Sequence, residues 1–162
     1  MGKINSRVLA IDPGPVLSAW ILFVDGCVHS FGKDDNERVR GSLVMDKSPH
    51  ATVIEMVASY GMAVGAEVFE TCVWIGRFME RTSLTGKVHT MYRRDVKLHW
   101  CGTTKANDSN IRQAVIDHYG GKEKAIGNKR TPGPLYGIKA DVWQALALGL
   151  AWQAKGAKCG EA

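Results

Sequence analysis

The strongest constraint on the fold is a pair of apolar runs on either side of the Asp-Gly pair at residues 25–26. Residues 18–24 (SAWILFV) and 27–31 are of strand length, and an Asp-Gly pair between two such runs is typical of a tight β-hairpin. An earlier run at residues 7–11 (RVLAI) stops at a proline and a glycine that follow Asp12. The chain therefore begins with three predicted antiparallel strands, and Asp12 lies at the end of the first.

Strands and helices alternate through the rest of the chain. The sequence predicts strands at residues 51–57 and 87–92 and helices at residues 66–81, 95–100 and 140–154. A further helix is capped by Asp108 or Ser109 and runs to residue 119. Residues 36–45 are weakly helical, and residues 122–136 are predicted to form a loop. There is no internal repeat and no linker. We therefore predict one α/β domain over residues 1–162, with a five-stranded mixed sheet flanked by helices.

Length and composition bound the class of protein. A chain of 162 residues can bury a core without disulfides, and its four cysteines have no metal-ligand spacing, so reduced thiols are expected. No apolar run reaches the roughly 20 residues that span a bilayer, and the amino terminus lacks a signal-peptide layout. We expect a soluble intracellular protein. The net charge of +5, with most basic residues in the second half, permits a polyanionic partner.

Three carboxylates border or interrupt apolar elements, at Asp12, Glu55 and Asp141. A buried carboxylate without a partner is costly, so each needs a cation or a hydrogen-bond donor. If the strands of Asp12 and Glu55 are neighbours, a hard divalent metal with oxygen ligands would satisfy both. Structural interpretations stay open: a turn former at Asp12, a salt-bridged residue at Glu55 and a first-turn helix residue at Asp141.

Several stretches of the chain resemble the RuvC family of Holliday junction resolvases, and especially its bacteriophage branch. They are LAIDPGP followed by SAW, VIEMV, KANDSNIRQAV and KADVWQALALGLA, and the resemblance runs from about residue 9 to residue 152. In that family an Asp follows the first strand as I-D-P-G, a Glu lies in the fourth strand as I-E, and D-x-x-D-A-L-A opens the last helix. This sequence departs from the last pattern, because Gln144 stands where the second acid is expected.

The resemblance implies an RNase H-like fold and an Mg²⁺- or Mn²⁺-dependent endonuclease that resolves four-way DNA junctions. Asp12, Glu55 and Asp141 would hold the metal, Gln144 would be a weaker ligand acting through water, and Lys105 would help to hold the phosphate or leaving group. Carboxylate-held metals suit this chemistry, because one ion activates water while another stabilises the leaving oxygen. The family's bacteriophage branch places such a protein in the cytoplasm of the host cell.

DNA contacts and a homodimer are further expectations. The predicted DNA-binding residues are Arg93, Arg94, Lys97, Lys105 and Asn107, although each could equally be an ordinary surface residue. The resemblance implies a homodimer that nicks the junction symmetrically, and a two-fold protein matches a two-fold junction. The helix with Phe69, Trp74 and Phe78 offers apolar surface for it, unless all three are core residues.

Other functions remain open on the sequence alone. A ribonuclease H or flap-type nuclease could use the same metal geometry. A non-catalytic protein that binds branched DNA is the alternative outside enzymology, and the neutral Gln144 is the feature that suggests it. Glu67 and Glu70 are alternative sources of a fourth carboxylate, although surface charges are the simpler interpretation of both.

Overall fold

A five-stranded mixed sheet lies at the centre of the fold. The computed structural model describes residues 6–159, and their side chains except at 42–45 and 157–159. Within that part the strands are β1 (Arg7–Asp12), β2 (Leu17–Val24), β3 (Cys27–Asp35), β4 (Ala51–Met56) and β5 (Lys87–Tyr92), in the order β3-β2-β1-β4-β5. The first three are antiparallel, whereas β4 and β5 run parallel to β1. The predicted five-stranded mixed sheet is confirmed.

Helices cover both faces of this sheet. They are α1 (Asn36–Arg38), which continues through a π-helical turn (Val39–Leu43) into α2 (Val44–Lys47), then α3 (Ala66–Ser83), α4 (Arg93–Cys101), α5 (Asp108–His118), α6 (Lys122–Ala125) and α7 (Val142–Cys159). The face covered by α3 buries residues such as Leu9 and Ile54, and the face covered by α4, α5 and α7 buries the larger core. Strand residues alternate between these two faces.

Helix α7 packs directly on β1 and β2, as its apolar sequence predicts. Its approach is close because Gly149 has no side chain. A Cβ atom there would lie 2.3 Å from Cε2 of Phe23 and 3.0 Å from Cβ of Ala10. Such distances are shorter than van der Waals contact, so only glycine allows this helix-to-sheet spacing.

Strand β3 is longer than the sequence predicts. It was expected to end at residue 31, but its ladder with β2 continues to Asp35. Gly32 lies opposite Trp20 on this extension, where a Cβ atom would lie 3.1 Å from the indole ring and would require it to shift slightly. The indole Nε1 of Trp20 in turn donates a hydrogen bond to Asp34, at 2.8 Å. The extension carries Lys33 towards the carboxylates at the ends of β1 and β4.

Two predictions around α5 are wrong. The helix is capped by Asn107 rather than by Asp108 or Ser109. Asn107 Oδ1 accepts a hydrogen bond from the backbone N–H of Asn110 at 2.9 Å, and Asn110 Oδ1 accepts one from the backbone N–H of Asn107. Residues 122–136 are not wholly a loop either, since they begin with α6. Both differences reflect local hydrogen bonding that apolar periodicity does not reveal.

None of the helices within residues 6–159 combines the length and apolar character needed to cross a bilayer. Cys27, Cys72 and Cys101 are free thiols. The Cys159 side chain lies outside the described part of the chain. The expectation about a signal peptide falls partly on residues 1–5, which also lie outside it.

Candidate active site

Asp12 and Glu55 lie side by side at one edge of the sheet. Strands β1 and β4 are parallel neighbours, and their register pairs the residues immediately before these two acids, Ile11 and Ile54. Both carboxylates project to the face covered by α4, α5 and α7, because they alternate with strand residues of the opposite core. The strands of Asp12 and Glu55 are therefore neighbours, which is the arrangement in which one metal ion could satisfy both acids.

Burial and mutual repulsion make these two acids hard to ionise together. Burial raises the pKa of Asp12 to about 8, and the nearby Glu55 carboxylate adds to the rise, while Arg93 opposes it. Burial also raises the pKa of Glu55, and again Arg93 acts in the opposite direction. The site thus holds two neighbouring carboxyl groups whose charged forms are disfavoured unless a cation compensates them.

Arg93 is the main counter-ion of the site. It follows β5 directly and begins α4, so its guanidinium reaches Glu55, with Nη1 3.3 Å from Oε2. The other Nη atom binds the carboxylate of Asp108 at the start of α5. Burial alone would lower the pKa of Arg93, but the carboxylates of Glu55 and Asp108 raise it by more. The net shift is upward, so the residue stays charged. Arg93 was predicted as a DNA contact and remains so as a prediction, but its observed partners are acids.

Asp141 lies near this pair and has its own partner. It immediately precedes α7, and its charge contributes to raising the pKa of Asp12. Its Oδ2 binds Lys33 Nζ, and its side chain is 52% exposed, unlike that of Glu55 at 12%. The sheet register places Lys33, Ala19 and Asp12 in one row, so Lys33 and Asp12 lie on the same face of the sheet. The small Ala19 side chain between them leaves room for Lys33 to extend to Asp141.

The ligand chemistry of the site suits a hard metal ion. Carboxylate and amide oxygens are the ligands that Mg²⁺ prefers, and Gln144 Oε1 is buried without a hydrogen-bond partner in the described part of the chain. No three His, Cys, Asp or Glu side chains within that part are gathered closely enough to hold an ion as they stand. Arg93 and Lys33 each bind one of these carboxylates, Glu55 and Asp141, so an ion held by all three acids would compete with both cations.

The predicted DNA-binding residues lie mostly beside these acids. Arg93, Arg94 and Lys97 line one pocket of about 340 Å³, together with Tyr60 and Thr104. Lys105 is exposed in the turn after α4. The side-chain oxygen of Asn107 is engaged in the α5 cap, and its role in DNA binding stays a prediction.

Glu67 and Glu70 lie away from this site. Both are exposed on α3, and α3 covers the opposite face of the sheet. Neither is therefore in a position to act as a fourth carboxylate, and the surface-charge interpretation fits them.

Lys33 and Asp108 belong to the site although the sequence analysis assigned neither a role there. Lys33 was expected beyond the end of β3, where side-chain direction is not defined. Asp108 was interpreted as a possible helix cap. The acidic first turn of α5 was visible in the sequence, but its pairing with Arg93 depends on how α4 and α5 pack, which no local pattern encodes.

Comparison with known proteins supports the fold. No protein-family model and no curated protein matches the sequence. Solved structures do: RuvC of Thermus thermophilus has a TM-score of 0.70 at 18% identity, over 95% of this chain and 96% of that one. The chain has a RuvC-type, RNase H-like fold. At this identity the likeness establishes the fold alone.

Two further structures share the fold. T. thermophilus RuvC in complex with a Holliday junction substrate has a TM-score of 0.67 at 15% identity, over 96% of both chains. The yeast mitochondrial Holliday junction resolvase Ydc2 has a TM-score of 0.61 at 10% identity, over 96% of this chain and 82% of that one. The similarity thus covers nearly the whole chain.

Proposed function

We propose that this protein is a divalent-metal-dependent endonuclease that cleaves branched DNA, with four-way junctions as its main substrate. The observation that carries the proposal is the buried pair Asp12 and Glu55, two neighbouring carboxyl groups whose pKa values are raised because burial disfavours their charged forms. Such a pair occurs at the ends of two parallel strands in a fold shared with Holliday junction resolvases. Two buried carboxylates are suited to bind a doubly charged cation, because the cation stabilises their charged forms.

In this proposal Asp12, Glu55 and Asp141 hold Mg²⁺ or Mn²⁺, and Gln144 supplies a neutral oxygen nearby. The ions would supply water activation and stabilisation of the leaving oxygen. Arg93, released from Glu55 when an ion binds, becomes free to contact a phosphate, as do Arg94 and Lys97 in the same pocket. Lys105 in the exposed turn after α4 contacts the phosphate backbone.

A non-catalytic junction-binding protein is the second candidate. The observation that favours it is the pairing of Glu55 with Arg93 and of Asp141 with Lys33, which leaves two acids already neutralised. The neutral Gln144 adds to this. The two candidates differ in whether metal replaces those cations.

The decisive experiment is a substrate panel at one salt concentration, comparing a four-way junction, a flap, an RNA–DNA hybrid and a linear duplex with Mg²⁺ and then Mn²⁺. We expect paired nicks in the junction and weak or absent cleavage of the others. Glu55→Gln should still bind the junction but lose cleavage, because it removes a metal-binding charge. Glu70→Gln, the same change on the exposed surface of α3, should cleave normally.

Three outcomes would contradict the proposal. Cleavage retained by Glu55→Gln in a clean preparation would exclude the assigned site. Preference for the hybrid or the flap would instead indicate the ribonuclease H or flap-type activity. Tight junction binding without cleavage across both metal titrations would identify the non-catalytic protein.

A homodimer formed through α3 is also part of the proposal. Phe78, one of the three residues considered for this surface, is fully buried against the sheet, and Trp74 packs against it at 5.7 Å between ring centroids. Phe69 is 63% exposed, however, and Val73 55% exposed one turn later. These two and Cys72 form an outward apolar stripe at helical spacing, which a second copy of α3 would cover.

Cys72 allows a direct test of this interface. We expect a cysteine-specific cross-linker to join two chains through Cys72, because a two-fold axis at the stripe brings the two thiols together. Cys72→Ser should abolish the product, whereas Cys27→Ser should retain it, since Cys27 lies on β3 at the far edge of the sheet. Val73→Asp should shift the protein to monomer in sedimentation velocity. A monomeric wild-type protein, or cross-linking through Cys27 instead, would contradict the α3 interface.

A further inference from the structure

Arg112 is an exposed cation held in place beside the acidic site. It lies on α5, and its guanidinium carbon is 4.8 Å from the ring centroid of Trp143. Trp143 is 4% exposed and belongs to the first turn of α7, so it is a fixed surface for the guanidinium. A cation over an indole face is attracted by the ring quadrupole. The side chain is therefore oriented before any ligand arrives.

The charge of Arg112 is not neutralised by the neighbouring acids. Asp108 and Asp141 line the same pocket of about 350 Å³. Arg93 binds the first of them and Lys33 the second. Arg112 makes no ion pair with the residues that the structure describes. An arginine stacked through its face keeps the N–H donors along its edge available.

The rest of the pocket suits an oxyanion beside the cation. Ser109 supplies a hydroxyl group to its wall, and Gln144 supplies a side-chain amide. A planar fork of N–H donors with a hydroxyl nearby matches the non-bridging oxygens of a phosphodiester. The pocket opens next to Asp141, on the α5 and α7 side of the site, whereas Arg93, Arg94 and Lys97 line the pocket on the β5 and α4 side.

We propose that Arg112, oriented by Trp143, binds a backbone phosphate adjacent to the one that is cut, and so directs the DNA strand across the acids between the two pockets. This inference rests on the proposed function and adds a specific contact to it. Because the contact is with the backbone, it contributes affinity and strand placement but no base preference.

The test measures junction binding without divalent metal, by fluorescence anisotropy over a series of salt concentrations, so that cleavage plays no part. Arg112→Gln should weaken binding about 5- to 10-fold near 0.1 M salt and reduce the slope of log affinity against log salt by about one phosphate contact. Arg112→Lys should restore most of the slope, because it keeps the charge. A purely structural role would leave the slope unchanged.

Lys155→Gln is the matched control. It removes one positive charge from the exposed end of α7, about 16 Å along the helix from Gln144, and its salt slope should equal that of the wild type. If the wild type binds the junction and Arg112→Gln behaves like Lys155→Gln, the Arg112 contact is excluded while the proposed function stands. If the wild type does not bind the junction at all, both proposals are excluded.

Discussion

Replacing Asp12 with asparagine is expected to lower the rate of junction cleavage by about 10³-fold or more, the scale seen when a central catalytic group is removed, while making the metal-free protein more stable. The two effects have one cause. Asp12 is held beside Glu55 in a buried position that disfavours its negative charge. Asparagine fills the same space without that charge, so it relieves repulsion and removes a metal ligand together.

The gain in stability should depend on pH in a defined direction. The pKa of Asp12 is about 8 in the folded protein, against the ordinary aspartate pKa of 3.8 in an unfolded chain. Between these pH values the folded state binds more protons than the unfolded state, so the free energy of unfolding falls as pH rises. Asp12→Asn lacks this component. Its advantage should be small at about pH 4 and should reach at least about 1 kcal/mol near pH 8.

Thermal unfolding in EDTA across this pH range measures the effect, with a shift of roughly 2–4 °C in Tm per kcal/mol for a chain of this size. Asp46→Asn is the control, because Asp46 is exposed on α2, and it should follow the wild-type curve. An Asp12→Asn protein that is less stable than the wild type at pH 8 would show that the carboxylate stabilises the fold. The site would then be structural.

Replacing Arg93 with glutamine should have the largest effect on stability. Arg93 is the cation bound by both Glu55 and Asp108, and Glu55 is only 12% exposed. Removing one partner of a buried ion pair costs about 3–5 kcal/mol, because the other charge is left uncompensated. Glu55 can escape that cost by taking up a proton, so the destabilisation should be greatest near pH 8 and smaller near pH 5.

Urea unfolding of Arg93→Gln at both pH values, with and without Mg²⁺, measures this prediction. A bound divalent cation would replace the lost charge, so Mg²⁺ should restore part of the stability. Arg94→Gln removes a neighbouring exposed arginine and should change the free energy of unfolding by less than about 0.5 kcal/mol. Equal effects of the two substitutions would mean that Arg93 is an ordinary surface residue.

The sheet and two of the three acids were predictable for a simple reason. Strand-length apolar runs and an Asp-Gly turn define the order of elements, and parallel strands bring their carboxyl ends to one edge. Asp12 and Glu55 therefore meet as the sequence suggests. Asp141 was predicted to join them, and it does lie close enough to influence Asp12.

The cations of the site were not predictable in the same way. Lys33 reaches Asp141 across the sheet from β3, because the ladder between β2 and β3 continues past residue 31. Arg93 reaches Glu55 and Asp108 because α4 and α5 pack together. Both contacts depend on tertiary packing between elements far apart in sequence, whereas periodicity describes one element at a time.

The same limit explains the surface of α3. Helical spacing of apolar residues correctly predicted the helix, but not which of them face the core. Ile75 and Phe78 pack against the sheet, while Phe69 and Val73 face outward. When a helix carries apolar residues on two faces, their spacing does not indicate which face packs against the sheet and which faces outward.

The packing of Gly149 in the core affects the position of Asp141 in the candidate active site. Asp141 precedes α7 by one residue, and the depth at which α7 lies on β1 and β2 is set about 12 Å away along the helix, where Gly149 meets Phe23. A methyl group at that position would force the Phe23 ring or the helix to shift, and an outward shift of α7 would carry Asp141 away from Asp12. We therefore expect Gly149→Ala to alter the distance between these two acids wherever the helix shifts, although Gly149 touches neither of them.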